Sequence, residues 1–311
     1  MADNFPIATL TLNPAIDLSF AVDRIYPLHK MRGDSERHDP GGGGINVSRV
    51  IARLGGTAPC HYFAGGPGGA AFDHLLDRHQ LVKRPIPICG STRISTTVYE
   101  RAGDAEYRFT TDGPEISPGE WAACLERFRS LRCSWLVLSG TLPRGVPDNA
   151  YAELAAMAAA NGAKVVLDSS GRGLAGGLSG SGVFLVKPSM GELRAFTGED
   201  LSTDRDIAQA AGRIVSAGSA RHVAVTLGAD GALLVGEDRH VRLPALEVER
   251  RSAVGAGDSF LAAMVFALSG GRAIEEAFRH GIAAGAAAVM TPGTGLAEPR
   301  DIERLLPLAG G

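Results

Sequence analysis

Cysteine is scarce in this 311-residue chain, and its four copies are scattered along it: Cys60, Cys89, Cys124 and Cys133. No Cys-x-x-Cys pair occurs, although disulfide frameworks and zinc sites depend on such close spacing. We therefore expect reduced, mostly buried thiols and no structural zinc. Apolar runs of about 18 residues, long enough to cross a membrane, are also missing. The first residues lack the basic and apolar segments of a secretory signal, so a cytoplasmic protein with no membrane partner is expected.

Excess charge of either sign is likewise missing, and the formal net charge is -3 at neutral pH. Proteins that bind nucleic acids usually present strongly basic faces, so the overall balance does not indicate a nucleic-acid partner. Hydrophobic residues make up 45% of the chain and charged residues 21%. This composition suits a globular protein with a large core and is unlike that of a disordered chain.

Short runs of Val, Leu and Ile alternate with amphipathic segments through most of the sequence. Runs such as "WLVLSG", "KVVLDSS" and "VFLVKPS" are separated by segments whose apolar residues recur at helical spacing. Strands that are apolar throughout are typical of a parallel sheet covered on both faces. We predict one α/β domain over residues 1–311, with helices on both faces of a mostly parallel sheet.

Two polar β segments interrupt this pattern, at residues 16–39 and 92–111. The second has the composition of two extended arms around the turn "AGDA". Their polar, two-faced character indicates that they project from the main sheet. We expect them to form a small β-sheet lid.

Polar motifs directly follow the strand-like runs: "NPAID", "SGTLPRG", "DSSG", "KPSMGE" and "LGADG". Ligands of open α/β sheets bind outside the carboxyl ends of the strands. These loops are therefore expected to line one site.

"VGAGDSF", residues 254–260, places three small residues and an acid at the start of an apolar helix. A helix N-terminus offers unpaired N–H donors and a partial positive charge, and glycine lets the backbone approach an anion closely. Asp258 beside such an anion hole can accept a proton from a hydroxyl that attacks a phosphoryl group. The alternative is that Asp258 only caps the helix.

"VGAGDSF" and "PGGGGINVSRVIARLGG" resemble the two signatures of the ribokinase-like, phosphofructokinase-B (PfkB) family of sugar kinases. Motifs in the same order extend the likeness over nearly the whole chain, among them "TLTLNPAID", "LSGTLPRGV", "TLGADGAL" and "AAGAAAVMTPGTGL". The resemblance implies a ribokinase-like three-layer α/β/α fold with a β lid, and ATP-dependent phosphorylation of a sugar phosphate. Relatives that act on fructose 1-phosphate or tagatose 6-phosphate usually carry lysine where this chain has Gly43. That position favours the 6-phosphofructokinase branch, which phosphorylates O1 of fructose 6-phosphate.

The same resemblance implies roles for individual residues on the sugar side. Asp258 would be the general base, with Gly255, Ala256 and Gly257 forming the anion hole. Other residues would bind the hydroxyls or the phosphate of the sugar: Asp17, Lys30, Gly42, Gly43, Asn46, Arg93 and Ser139.

On the nucleotide side, the resemblance implies ATP contacts by a second set of residues: Lys187, Ser189, Thr226, Gly228 and Gly231. Glu192 would hold Mg²⁺ through water. Carbonyl groups of two segments would bind a monovalent cation such as K⁺, at Ser252, Val254, Ala288 and Gly293. Two positions depart from the family pattern, since Ser189 replaces an asparagine and Gly295 an arginine. The family also implies a homodimer paired through the lids.

Several alternatives remain open at this point. Within the family, fructose 1-phosphate and tagatose 6-phosphate are alternative substrates. A dinucleotide-binding oxidoreductase is disfavoured because "NPAID", and not a glycine-rich turn, follows the first strand. A non-catalytic nucleotide-binding regulator is disfavoured because Asp258 is present. Individual residues have structural alternatives: a turn for Asp17, solvated charges for Lys30 and Arg93, a surface position for Lys187, a helix-dipole contact for Glu192 and a helix brace for Asn46.

Overall fold

The computed structural model of the protein describes residues 5–310. Thirteen β-strands lie in that range: β1 (Phe5–Thr11), β2 (Ala15–Val22), β3 (Asp34–Gly41), β4 (Cys60–Ala64), β5 (Lys83–Pro87), β6 (Arg93–Glu100), β7 (Ala105–Thr110), β8 (Cys133–Ser139), β9 (Lys164–Asp168), β10 (Val183–Val186), β11 (Ala220–Thr226), β12 (Ala232–Val235) and β13 (His240–Leu243). Ten α-helices accompany them: α1 (Gly43–Arg53), α2 (Gly66–Asp77), α3 (Pro118–Arg129), α4 (Ala150–Ala160), α5 (Gly171–Gly177), α6 (Met190–Thr197), α7 (Asp204–Ser216), α8 (Ala256–Ser269), α9 (Ile274–Val289) and α10 (Pro299–Leu305).

Nine strands form the main sheet, in the order β13-β12-β11-β10-β9-β8-β1-β4-β5. The strands from β11 through β5 in that order are parallel to their neighbours, and β12 and β13 complete one edge in antiparallel pairs. The predicted mostly parallel sheet is confirmed. Its parallel strands bring the loops after β1, β8, β9, β10 and β11 to the same edge.

Strand β8 shows why helices cover both faces of this sheet. Neighbouring side chains of a strand point to opposite faces, and all four central side chains of β8 are apolar. Trp135 and Val137 join the core that includes α1, α8, α9 and α10, whereas Leu136 and Leu138 join the core that includes α3, α4 and α7. Burial on both faces produces three layers.

Four strands form the separate lid sheet, in the order β3-β2-β6-β7. β2 pairs antiparallel with β3 and parallel with β6, and β6 and β7 form an antiparallel hairpin. These are the two segments that were expected to project from the main sheet. β3 continues to Gly41, two residues beyond the expected boundary, and leads almost directly into α1.

Three elements had no clear signal in the sequence. β5 reads "KRPIP", and its two prolines resemble a loop more than a strand. Four of the seven residues of α5 are glycine, which disfavours a helix. α10 is a single short helix, and it follows the glycine-containing loop between α9 and α10. Within residues 5–310, no helix combines the length and the hydropathy needed to cross a membrane.

Candidate active site

Asp258 lies in the first turn of α8, and its carboxylate faces the start of α1. Its Oδ2 atom accepts a hydrogen bond of 2.8 Å from Nδ2 of Asn46, although 212 positions separate the two residues. The N-cap of α8 is Gly255, at φ 74°, and no side chain of the described residues caps the helix there. The capping interpretation of Asp258 is therefore wrong.

Burial raises the pKa of Asp258 above its ordinary value. The hydrogen bond from Asn46 and the positive charges of Lys187 and Arg49 act in the opposite direction, while Glu192 raises the pKa further. A carboxylate with a raised pKa is a stronger proton acceptor at neutral pH. Its environment therefore suits Asp258 to the role of general base.

Gly43 is held between Ser139 and Asp258. It is the first residue of α1, and Ser139 is the last residue of β8 and is buried. A Cβ atom at position 43 would collide with Oγ of Ser139 and would lie 3.3 Å from Oδ1 of Asp258. Glycine therefore allows a helix start, a strand end and the carboxylate to meet. Gly42, the N-cap of α1, has φ 120°, a backbone conformation that favours glycine.

Asp17 lies in the lid sheet, where it pairs with Asp39 across β2 and β3. Its carboxylate occupies the space that a side chain at Gly41 would need. Burial and the neighbouring charge of Asp39 raise the pKa of Asp17 to about 6, while Arg49 and Arg93 oppose that rise. Asp17 is therefore a functional-site candidate on electrostatic grounds as well as by sequence.

Arg93, the first residue of β6, joins the lid to the main sheet. It donates to the backbone oxygens of Thr111 (2.6 Å) and Asn13 (3.1 Å). Within residues 5–310, its Nε atom and Oδ1 of Asn13 are buried and have no hydrogen-bond partner. Unpaired buried polar atoms call for an explanation, and contact with a ligand is one. The arrangement supports the predicted sugar-side position of Arg93 and adds Asn13 to it.

Lys30 has a different setting from Arg93. It lies exposed in the lid loop between β2 and β3 and forms no ion pair with any described residue.

Lys187 follows β10 and is buried, so the surface interpretation of this lysine is wrong. Its Nζ atom lies 3.1 Å from Oδ1 of Asp168, the last residue of β9. A Cβ atom at Gly257 would lie 3.4 Å from the same Nζ atom. The ammonium group therefore lies against the predicted anion hole at the start of α8.

Burial opposes the charge on Lys187, but Asp168, Glu192 and Asp258 together raise its pKa. Burial also raises the pKa of Asp168, to about 6, against the effect of Lys187. Each of the two groups therefore stabilises the charged form of the other. Glu192 acts on this cluster from the first turn of α6, although no three acidic, histidine or cysteine side chains of the described residues are grouped closely enough to hold a metal ion by themselves.

Ser189 and Glu192 form a reciprocal capping box at the start of α6. Oγ of Ser189 accepts from the Glu192 N–H group, and Oε2 of Glu192 accepts from the Ser189 N–H group at 2.7 Å. Glu192 therefore does have the structural role at the start of α6 that was its alternative interpretation. That role uses its Oε2 atom, and Oε1 remains available to other partners. The backbone of Thr226 forms a parallel β-bridge with the backbone of Ser189. These two predicted ATP contacts are therefore neighbours.

Gly228 and Gly231 lie in the turn after β11, with φ values of 63° and 102°. Gly228 is exposed beside open space within the described structure. A side chain at Gly231 would collide with the backbone of Leu243. The close packing of β12 and β13 therefore already requires glycine at position 231, whether or not it also contacts a nucleotide.

The two segments predicted to bind a monovalent cation are adjacent. The N–H groups of Arg251 and Ser252 both donate to the carbonyl oxygen of Val289, at 2.8 and 3.2 Å. Oγ of Ser252 accepts from the N–H group of Val254, and the Ala288 carbonyl accepts from Thr291. Gly293 is exposed with φ 61°. The loops are thus together, and one of the predicted ligand carbonyls, that of Ala288, already accepts a local hydrogen bond.

Four residues of this region had not been predicted individually: Asn13, Asp39, Arg49 and Asp168. Asp168 ends a strand at the same edge as the other motifs, a signal that could have identified it. Arg49 is three residues after Asn46 on one face of α1, the spacing at which helical side chains meet. Asp39 and Asn13 are recognisable only from contacts across the fold.

Comparison with known proteins agrees with this arrangement. The model of the pfkB family carbohydrate kinases matches residues 10–301. The ATP-dependent 6-phosphofructokinase isozyme 2 of Mycobacterium tuberculosis is 40% identical over 305 residues, which cover 97% of this chain and 89% of that protein. A 1-phosphofructokinase of Xanthomonas campestris is 33% identical over 269 residues, covering 84% and 83%.

A solved crystal structure has a very similar fold. The crystal structure of phosphofructokinase-2 from Escherichia coli in complex with potassium matches with a TM-score of 0.94 and 34% identity, over 99% of this chain and all of that one. The expected ribokinase-like architecture is confirmed, and so is a kinase that acts on carbohydrates. The chain belongs to the pfkB family of carbohydrate kinases.

Proposed function

We propose that this protein is an ATP-dependent 6-phosphofructokinase that phosphorylates O1 of fructose 6-phosphate to give fructose 1,6-bisphosphate. The contact of Asn46 with Asp258 carries the proposal, because it joins the half-buried carboxylate of Asp258 to α1, while the positive charge of Lys187 acts on the same carboxylate. Asp258 takes the proton from O1 as that oxygen attacks the γ-phosphorus of ATP. The bond from the γ-phosphorus to the bridging oxygen breaks, and ADP leaves.

The start of α8 supplies the electrostatic part of this reaction. Gly255, Ala256 and Gly257 present backbone N–H groups at a helix N-terminus, and these groups stabilise negative charge on the transferred phosphoryl group. The ammonium group of Lys187 lies beside Gly257 and adds a full positive charge. Positioning and charge stabilisation of this kind account for most of the catalysis in phosphoryl transfer.

The nucleotide is ATP, held by the loops after β10 and β11 with Lys187, Ser189, Thr226, Gly228 and Gly231. Asp168 and Glu192 would hold Mg²⁺, directly or through water, and the bound ion neutralises charge on the ATP phosphates. K⁺ is the proposed monovalent ion between the 252–254 and 288–293 segments. The complex of the E. coli relative with potassium supports that choice.

The sugar lies under the lid in this proposal, against Asp17, Asn46, Ser139 and the glycines at 42 and 43. Arg93 binds the 6-phosphate, for which a guanidinium is well suited. Lys30 adds a second positive charge from the lid loop. A closed lid excludes water from the site, which limits hydrolysis of ATP. Residues 1–311 thus act as one kinase unit with the lid sheet as its cover.

A homodimer paired through the lids completes the proposal. Most of the large hydrophobic side chains that are exposed within residues 5–310 lie in the lid: Tyr26, Leu28, Met31, Ile94, Tyr99, Tyr107 and Phe109. Only Phe196 and Leu308 of the described residues share this property elsewhere. A concentrated apolar surface of this kind is typical of a protein interface. β3 and β7 are the edge strands of the lid sheet, and each has one side without a neighbouring strand in the described structure.

The test is a coupled ADP-release assay with Mg·ATP that compares kcat/KM for fructose 6-phosphate, fructose 1-phosphate and tagatose 6-phosphate. We expect a clear preference for fructose 6-phosphate. The similarity to the X. campestris enzyme makes fructose 1-phosphate the second candidate, and a preference for it would reassign the substrate while retaining Asp258 as the base. Turnover of none of the three would refute the proposal.

A further inference from the structure

We infer that Arg49 is a positioning residue for the catalytic pair of Asn46 and Asp258. This inference rests on the proposed function, in which Asp258 is the base. Nη1 of Arg49 donates to Oδ1 of Asn46 at 3.1 Å, and Nδ2 of Asn46 donates to Oδ2 of Asp258 at 2.8 Å. The guanidinium and the base are thus joined through one side-chain amide.

The orientation of that amide follows from the chemistry of its two neighbours. Arginine has only donors, and an ionised carboxylate has only acceptors. Asn46 must therefore turn its oxygen to Arg49 and its nitrogen to Asp258. Arg49 holds the amide in the single orientation that supports an ionised base, which is the form that accepts the proton of O1.

Arg49 is itself fixed from three sides. It is 5% exposed, its Nη1 atom also donates to the carbonyl oxygen of Pro40 at 3.1 Å, and its Nη2 atom lies 3.4 Å from Oδ1 of Asp39. Asp39 also accepts a hydrogen bond of 2.7 Å from Oγ1 of Thr294. The side chains of Arg49 and Asp39 therefore anchor the amide of Asn46 to lid strand β3 and to the loop after α9.

If Arg49 is replaced, the oxygen acceptors of Pro40 and Asp39 remain around the space that its guanidinium group had filled. Those acceptors attract the NH₂ group of Asn46, so the amide would have two competing orientations. In one of them its oxygen faces Asp258 and repels the ionised carboxylate. The loss should therefore appear in the chemical step more than in substrate binding.

The experiment compares Arg49→Met with Arg53→Met in the wild-type and Asn46→Ala backgrounds. Arg53 lies one turn further along α1 and donates to the carbonyl oxygens of Leu296 and Ala297, so it controls for general damage to the helix. We expect Arg49→Met to lower kcat about 10- to 100-fold, with KM for ATP within about threefold of wild type. Arg53→Met should leave kcat within about threefold.

The double variant separates positioning from a structural role. If Arg49 acts through Asn46, Arg49→Met should change kcat less than about twofold when Asn46 is already alanine. If the separate effects of the two substitutions on kcat simply multiply in the double variant, the inference is overturned. So would a wild-type kcat in folded Arg49→Met protein.

A second measurement needs no substrate and no turnover. The chain has five asparagines, so selective ¹⁵N labelling gives five side-chain amide pairs, and the Asn46 pair is the one lost in Asn46→Ala. We expect the Asn46 signals to lie apart from those of exposed Asn149 in wild type and Arg53→Met, and to move toward them in Arg49→Met. Unmoved Asn46 signals would refute the role of Arg49. If wild type phosphorylates none of the sugars, the proposed function fails, and this spectrum still decides the positioning role.

Arg49→Lys serves if the methionine variant does not fold. Lysine keeps the charge and the stem, but a single ammonium cannot match the fork of contacts to Pro40, Asn46 and Asp39. We expect kcat to fall about 3- to 10-fold at an unchanged melting temperature, with the Asn46 signals displaced. A wild-type kcat together with undisplaced signals would overturn the inference.

Discussion

Asp17 pairs with Asp39 across β2 and β3, so that two carboxylates share one rung of the lid sheet. The positive charge of Arg49 acts on both carboxylates, but Arg49 forms its ion pair with Asp39. The negative charge of Asp17 is therefore the less neutralised of the two. Such a site costs folding free energy when no ligand is bound. A protein keeps it where the carboxylate serves binding or catalysis.

Replacing Asp17 by asparagine should therefore stabilise the free protein at neutral pH while weakening sugar binding. Burial raises the pKa of Asp17 from 3.8 to about 6, so between these values the native state binds more protons than the unfolded chain. The free energy of unfolding falls as pH rises through this window, by about 3 kcal/mol at most, and the loss is complete above it. Urea unfolding at a series of pH values should show this part of the slope in wild type and not in Asp17→Asn. Exposed Asp238→Asn is the control and should keep the wild-type slope.

Asp258→Asn tests the general base directly. The amide cannot take the proton from O1, so kcat should fall by about 10²- to 10⁴-fold. ATP binding should stay near that of wild type, because Lys187 and the loops after β10 and β11 are unchanged. Calorimetric titration with ATP and the coupled assay measure the two quantities. Turnover close to that of wild type would contradict the assignment.

Gly43→Ala tests the close approach of α1, β8 and the base. The added Cβ atom would displace Oγ of Ser139 and crowd Oδ1 of Asp258, so we expect kcat/KM for the sugar to fall at least about tenfold. Gly212→Ala is the matched control, because a Cβ atom there meets open space within the described structure. Alanine inside α7 should leave activity unchanged and add about 0.5–1 kcal/mol of stability. Equal activity of the two variants would argue against the contact.

Phe109→Lys tests the lid interface. Phe109 is 58% exposed in β7, and a lysine there would place a charge in the apolar surface that we propose pairs two lids. Sedimentation velocity should then show monomers. Leu308→Lys changes a side chain that is 62% exposed outside the lid, and it should sediment like wild type. A wild-type sedimentation coefficient for Phe109→Lys would move the interface elsewhere or remove it.

The sequence predicted the parts of the site that are local in the chain. The glycine-rich starts of α1 and α8, the strand-end loops and the hairpin of β6 and β7 each have a signal within a few neighbouring residues. Their meeting at one edge followed from the rule for parallel strands. The prediction therefore covered the architecture and the two glycine-rich helix starts that face each other.

The contacts that orient the site could not be predicted in the same way. The hydrogen-bonded series from Asp39 through Arg49 and Asn46 to Asp258 joins three elements, β3, α1 and α8, and no local pattern specifies which donor meets which acceptor. Asp168 has a signal in the sequence, its position at the end of a strand, but acids are common there, and its 3.1 Å contact with Lys187 is what singles it out. Residue identity indicated the chemistry, and the packing of distant segments determined the partners.

The junction of β3 and α1 has a mechanical consequence. Gly42 alone separates the last residue of the lid strand from the first residue of the helix that carries Asn46. The lid strand therefore runs into α1 through four consecutive glycines, Gly41 to Gly44, and φ of Gly42 is 120°, a conformation that favours glycine. One continuous stretch of chain thus links the lid strand that holds Asp39 to the helix whose Asn46 amide contacts Asp258, so the lid and the orientation of the proposed base share a single covalent joint.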